Sequence, residues 1–300
     1  MHKKTKCLSY CGGAREKQKA LIATELRQKF PLRMLLQILK LSRSTFYYHL
    51  KQNKQDKYFY AKEKIKELFE ANKGRYGYRR MTALLRQKSI PLNHKTVLKL
   101  MKSLQIRGKM RKNEKYHSYK GEVGKIADNL LARDFTASKP FEKLTTDVTQ
   151  FKVGNEKVYL SPVMDLYNRE IISYSVSLHP DLEQIREMLK ELTTKLPKGA
   201  TPLFHSDQGW QYQHAEFQKY LQKHNITQSM SRKGNCMDNG AMENFFGRLK
   251  VEMFYGEKFE TVDEFVHRLR EYIYYWNNER ISLKLKGMSP VQYRTHYQTF

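Results

Sequence analysis

Three acidic residues, Asp147, Asp207 and Glu243, stand in company that suits phosphoryl chemistry. Fifty-nine residues lie between the first and second, and thirty-five between the second and third. Asp147 sits within Thr145-Thr146-Asp147-Val148-Thr149, a strand-like run, and Asp207 within His205-Ser206-Asp207-Gln208-Gly209, at the end of a short apolar run. Glu243 precedes Asn244-Phe245-Phe246-Gly247-Arg248-Leu249-Lys250, which has helical spacing. Carboxylates brought from three separate elements are what a protein needs to hold two divalent ions against a phosphodiester. Such ions, about 3.5–4 Å apart, activate the attacking oxygen and stabilise the departing 3′ oxygen. Magnesium suits an all-carboxylate set, because it is hard and keeps several waters, and manganese is expected to substitute for it. In this reading Asp147 is mid-strand and bridges both ions, Asp207 holds one, and Glu243 completes the shell of the other.

The elements that must position these groups are readable from apolar spacing. Residues 144–152, 157–165 and 170–178 read as three consecutive strands, with turn signals at Gly154-Asn155 and Asn168-Arg169. A helix is expected over 181–195, short strands at 202–207 and 226–228, and helices over 215–224 and about 238–253. Antiparallel strands followed by alternating helices and strands make the element order of an α/β ribonuclease H-like core. On the last helix Met242, Phe246, Leu249 and Met253 form an apolar stripe, while Glu243, Gly247 and Lys250 share another face. Lys250 and Arg248 are therefore candidates for contact with DNA. Asp165 also follows a strand, but reads as a turn cap. The tail holds one amphipathic helix, and its run Tyr272-Ile273-Tyr274-Tyr275-Trp276 reads first as packing and second as a stacking surface for bases.

Charge divides the chain unevenly. Residues 1–125 hold 33 of the 56 Lys and Arg but only 8 of the 30 Asp and Glu, so nearly all of the +26 formal charge lies there. A cation set against a phosphate releases condensed counterions, which favours nucleic acid as the partner. Two helix-turn-helix patterns fall in the same segment. In the first, Leu21, Ile22, Leu26 and Phe30, then Leu32, Met34, Leu35 and Ile38, keep helical spacing before a turn at Ser42-Arg43-Ser44-Thr45, where Arg43 and Ser44 open the second helix. In the second, Tyr76-Gly77-Tyr78-Arg79-Arg80 opens a helix, and Asn93 caps another whose Lys95, Lys99 and Lys102 face outward. Ordinary helical hairpins share this pattern, so DNA contact by Arg79, Arg80 and these lysines is an expectation of charge and pattern together. No run of eighteen apolar residues and no signal-peptide core occurs, which predicts a cytosolic protein without a membrane partner. Cys7, Cys11 and Cys236 fit no disulfide framework, and Cys7-x3-Cys11 with His2 lacks the second ligand pair of a zinc site.

At these residues the chain resembles insertion-sequence transposases of the orfB type, DDE transposases whose catalytic core is similar to retroviral integrase. Asp147, Asp207, Glu243 and Lys250 occupy the positions of that family's pattern. The likeness continues through Gly209-Trp210-Gln211-Tyr212, Ser231-Arg232-Lys233-Gly234-Asn235, Asp238-Asn239, Trp276-Asn277-Asn278-Glu279-Arg280 and Ser289-Pro290. It departs at Leu144, Gly240 and Ser282, none of them an expected metal ligand. The resemblance implies magnesium-dependent 3′-end cleavage and strand transfer on double-stranded DNA, both element ends and target, in the bacterial cytosol or nucleoid. It implies a homo-oligomer on DNA and a fusion or partnership with the product of an upstream frame. The expected organisation is a multidomain chain: a helix-turn-helix region over 1–56, a second over 57–106, a basic linker over 107–139, the ribonuclease H-like core over 140–256 and an α-helical tail over 257–300. A DNA-binding regulator and a ribonuclease acting on RNA–DNA hybrids are the rival readings.

Overall fold

The computed structural model describes residues 4–52, 56–110, 126–232 and 239–298. His2, Cys236, Asp238, the 111–125 part of the basic linker and the Lys233-Gly234-Asn235 stretch lie outside the described residues. The chain forms two compact units, dividing between Lys66 and Glu67.

In the first unit, α1 (Lys4–Leu26), α2 (Leu32–Ile38) and α3 (Arg43–Gln52) close around Ala20, Ala23, Leu35, Leu36, Leu41 and Phe46. Alanines on α1 allow close approach, and Phe46 of α3 is fully buried. Of the residues that set the helical spacing, Leu35 is buried and Leu32 packs against this core, whereas Leu21, Ile22, Leu26, Phe30, Met34 and Ile38 are exposed. Periodicity revealed the helices, but it could not say which face was inward. Ser42 caps α3, its Oγ accepting from Thr45 N–H at 3.0 Å. The helix α4 (Phe59–Ala71) runs across the division.

The second unit opens with a helix-turn-helix, α5 (Tyr78–Gln87) and α6 (His94–Ser103); Asn93 caps α6 by accepting from Lys95 N–H at 2.9 Å. A six-stranded mixed sheet follows. Its strands are β1 (Lys143–Thr146), β2 (Thr149–Val153), β3 (Glu156–Asp165), β4 (Ile171–Ser177), β5 (Leu203–Ser206) and β6 (Thr227–Met230). The long β3 pairs antiparallel with β4, with β2 along its first half and with β1 at its end. β1 and β2 are thus one broken strand, and β5 and β6 add to β1 in parallel. The strand expected over 144–152 breaks at Asp147-Val148 because Val148 N–H donates to Asp147 Oδ1 at 2.8 Å, leaving the ladder.

Both sheet faces are covered. Leu144, Val163 and Ile172 pack on α7 (Leu182–Lys195) and α9 (Ala215–Lys223) through Met188, Leu189, Leu192, Phe217 and Leu221. Phe151, Val153, Met164 and Ile171 face the opposite way, onto α10 (Gly240–Leu249) and α11 (Val262–Asn278). Neighbouring residues Val163 and Met164 go to opposite faces, as strand pleating requires. Two short helices were not visible in the spacing, α8 (Trp210–Gln213) and α12 (Pro290–Gln298) in the tail. In the aromatic run Tyr272, Tyr275 and Trp276 are buried and Tyr274 is exposed, so packing is its main role. The architecture is ribonuclease H-like, preceded by all-α helix-turn-helix units and followed by a helical tail.

Candidate active site

The sixty-position offset between the two aspartates is a strand register. β1 and β5 are parallel, with Lys143 opposite Leu203, Leu144 opposite Phe204 and Thr145 opposite His205. Continuing that offset beyond the paired residues brings Asp147 level with Asp207, at the ends of adjacent parallel strands. Glu243 comes from α10, and Asn239 sets where that helix starts. Asn239 is buried; its Oδ1 accepts from Thr145 Oγ1 at 2.6 Å, and its Nδ2 donates to Thr146 O at 2.9 Å. An asparagine here would ordinarily cap its own helix, but this one makes no side-chain cap bond. Its amide is committed to β1. Glu243 lies one turn further along the same helix face, over the strand break.

Asp147 lies within electrostatic reach of both Asp207 and Glu243. Burial pushes the Asp147 pKa well above the usual carboxylate range, and the charges of Asp207 and Glu243 push it further. The Val148 amide and the Lys250 charge oppose that shift. Burial likewise raises Asp207, against a hydrogen bond from Gly209 N–H to its Oδ1 at 2.9 Å. Gly209 is tightly approached: a Cβ there would lie 2.7 Å from Gln211 Nε2 and 3.0 Å from Asp207 Oδ1, so both side chains would have to shift. Lys250 Nζ stands 5.4 Å from the centroid of the Phe151 ring. Beneath the pair, the fully buried Tyr212 hydroxyl lies 3.4 Å from Thr146 Oγ1. Its pKa is raised by burial and by Asp207 and Asp147, so it stays a neutral phenol. His205 serves elsewhere, its Nδ1 bonded to Ser229 Oγ at 2.9 Å between β5 and β6.

Among the described residues no three His, Cys, Asp or Glu side chains already stand in a metal-holding arrangement. One oxygen each of Asp147 and Asp207 is engaged by a backbone amide. The donor chemistry nonetheless fits a hard divalent cation, since the groups are oxygen-only, crowded and disfavoured as anions.

Behind the site the expected helix over 238–253 changes form, with Lys250–Phe254 as a π-helical turn. That turn carries Glu252, 2% exposed. Its Oε1 accepts from Arg280 Nη2 at 2.7 Å and Arg80 Nη1 at 3.3 Å, and its Oε2 from Arg280 Nε at 2.9 Å and Tyr272 OH at 3.1 Å. Burial alone would raise this carboxyl's pKa, but the Arg280 hydrogen bonds and the two guanidinium charges hold it below the usual range. Arg80 was expected to face DNA; it faces Glu252, and the second helix-turn-helix packs here. Tyr76 OH accepts from Ile281 N–H at 3.0 Å, and Gln87 Nε2 donates to Gly287 O at 2.9 Å. Arg43, Ser44, Arg79, Lys95, Lys99, Lys102 and Arg248 are exposed. Asp165 caps its turn, accepting from Tyr167 and Phe141 N–H groups at 2.9 and 2.8 Å. Sequence reasoning missed the roles of Asn239, Glu252 and Arg280. An asparagine just before a helix was the available signal for the first, whereas nothing local marks the pairing of Glu252 with residues 172 and 28 positions away.

A ribonuclease H-like sheet with helices on both faces, in this strand order, is that of an integrase core. Residues 137–236 and 243–297 match integrase core domains, and residues 60–114 match an HTH-like domain. A putative transposase, InsK, for insertion sequence element IS150 of Escherichia coli (strain K12) is 50% identical over 274 residues, 91% of this chain and 96% of that protein. A transposase-like protein of Haemophilus influenzae is 55% identical over 215 residues, 72% of this chain and 98% of that one. A chain in the structure of the simian T-cell lymphotropic virus intasome has a TM-score of 0.46 at 17% identity, covering 77% of this chain and 74% of that chain. The chain belongs to the insertion-sequence transposases with an integrase core, and is a polynucleotidyl transferase with an HTH-like domain. No helix among the described residues is long and apolar enough to cross a membrane.

Proposed function

We propose that this transposase binds the terminal inverted repeats of its element through its helix-turn-helix regions and performs both DNA steps at Asp147, Asp207 and Glu243. The observation that carries the reading is the β1–β5 register, which sets Asp147 level with Asp207, beside the strand that Asn239 ties to the Glu243 helix. In the first step water attacks the phosphorus at the element's end, the end's 3′ oxygen leaves, and it takes up a proton. In the second, that 3′ hydroxyl loses its proton and attacks a target phosphodiester, so one ester bond forms as the target's own 3′ oxygen departs. Two magnesium ions held by the three carboxylates, with manganese as a substitute, would activate the entering oxygen and neutralise the leaving one.

The chain's own groups supply the rest. Asp147 and Asp207 give the site its negative charge from fixed strand ends, and Lys250 is placed to meet a phosphate beside them. The Tyr212 hydroxyl is fully buried against Thr146, in keeping with direct transesterification without a covalent protein–DNA intermediate. Arg43, Ser44, Arg79, Lys95, Lys99, Lys102 and Arg248 are the proposed DNA contacts; Arg80 is withdrawn from that set. Because two ends must meet, the active form is a homo-oligomer on DNA, with an upstream-frame product as fusion or partner, in the bacterial cytosol or nucleoid. The proposed domains are those of the sequence reading, 1–56, 57–106, 107–139, 140–256 and 257–300.

The test is Asp147→Asn, Asp207→Asn and Glu243→Gln on labelled element ends. Each should lower magnesium-dependent cleavage and joining by about a thousandfold or more, roughly 4 kcal/mol of barrier, while gel-shift affinity for end DNA stays within about twofold. Retained joining removes that residue from the site. A DNA-binding regulator would show binding, and no metal-dependent chemistry even in the wild type.

A further inference from the structure

Away from the carboxylates, a cavity of about 660 Å³ opens beside α10, lined by Gly240, Asn244 and Arg248 rather than by Glu243. Its floor is Arg169, in the turn between β3 and β4. Arg169 Nη2 reaches Phe135 O at 3.4 Å, but its buried Nη1 has no hydrogen-bond partner among the described residues. The backbone holds that guanidinium in place. Arg169 has a left-handed φ of 65°, its N–H donates to Asp165 O at 2.8 Å, and its carbonyl accepts from Trp276 Nε1 at 2.9 Å. Arginine does not lose its proton, so a cation sits half-buried with part of its donor edge unused. Burial penalises that charge and Asp165 offsets the penalty only through space. At the rim are the exposed cations Arg248 and Lys284 and the carboxylate of Asp134, which Lys143 pairs at 2.6 Å, and the apolar walls include Phe135 and Leu283.

Nη1 itself is closed to solvent, but an anion in the cavity would set a counter-charge against the guanidinium that lines it. The cavity exceeds what a bare phosphate fills, and its walls offer apolar surface beside the cations. A sugar or base attached to the phosphate would use both. We propose that this cavity is a second DNA subsite, holding a phosphodiester on Arg169, Arg248 and Lys284, separate from the reacting one. The inference rests on the DNA reading above.

The experiment measures affinity against salt concentration for the full chain on duplex end DNA and on one of its single strands, with inorganic phosphate as competitor. The variants are Arg169→Gln, which keeps the backbone contacts, and Lys284→Gln, an exposed change that leaves the core untouched. Thermal unfolding checks that each is folded. The slope of log affinity against log salt should fall by about 0.9 per lost contact on duplex, or about 0.7 on single strand. A fall confined to single strands identifies a nucleotide drawn out of the duplex, and a fall on duplex identifies a passing backbone; both support the subsite. Unchanged slopes on both DNAs in folded Lys284→Gln, and in Arg169→Gln if it too folds, overturn it. So does millimolar phosphate protecting the site while the DNA slopes stay unchanged. If the wild type bound no DNA, the proposed function itself would fall, a result distinct from these.

Discussion

Two carboxylate clusters flank one helical segment, built around Glu243 and around Glu252, and the protein treats them in opposite ways. Glu252 is met by Arg280, Arg80 and Tyr272, and its pKa is held down despite burial. Asp147 is half-buried beside Asp207 and Glu243, with Lys250 opposing, and its pKa is driven up. Where the fold supplies two guanidinium partners, the cluster ties the helix-turn-helix, the π-helical turn and the tail together. Where it gathers carboxylates, their charges work against one another and the Asp147 pKa rises. The contrast sets the structural carboxylate Glu252 apart from the carboxylates proposed to act on DNA.

The contrast can be broken by variants, taken here from the largest expected effect down. Glu252→Gln leaves Arg80 and Arg280 without their counter-charge and should cost about 3–5 kcal/mol in denaturant unfolding. Asp147→Asn should leave metal-free stability unchanged or raise it, because its amide oxygen still accepts from Val148 and the crowded charge is gone. Equal destabilisation by both would erase the distinction. Asp165 is an intermediate case, fully buried with two amide donors and a pKa pushed up to about 6 by burial. Its folded pKa lies above the ordinary aspartate value of 3.8, so the folded state holds the proton more tightly and stability falls as pH rises from about 4 to 6. That fall should be about 3 kcal/mol, and absent in Asp165→Asn; matched pH profiles of thermal unfolding would refute it. Asn239→Ala loses two buried hydrogen bonds and should cost about 1–3 kcal/mol. It should also slow cleavage while gel-shift affinity is kept, with partial rescue by Asn239→Ser if positioning is its role. Gly240→Ala has open space for its Cβ and should stabilise the start of α10 by about 0.5–1 kcal/mol.

Much of the site was legible because its parts carry local marks. Asp147 and Asp207 lie in short motifs, and their spacing is the register of two neighbouring strands. The stripe Met242, Phe246, Leu249 and Met253 is buried as its period predicted. What was not legible depended on distant partners. The break at Asp147 is a one-residue hydrogen bond inside an otherwise strand-like run. The π-helical turn carries a glutamate paired across the fold, and the same pairing turns Arg80 away from solvent. On α1 the small residues Ala20 and Ala23 face inward, a choice of face that Leu21, Ile22 and Leu26 could not reveal.

Metal titration followed by thermal unfolding tests the central claim most directly. Magnesium or manganese should raise the melting temperature of the wild type, more at pH 7 than at pH 5, because protonation of the raised carboxyls competes with the cation. The Asp147→Asn, Asp207→Asn double variant should show no such rise. An equal rise in that variant would place the cation elsewhere and contradict the account.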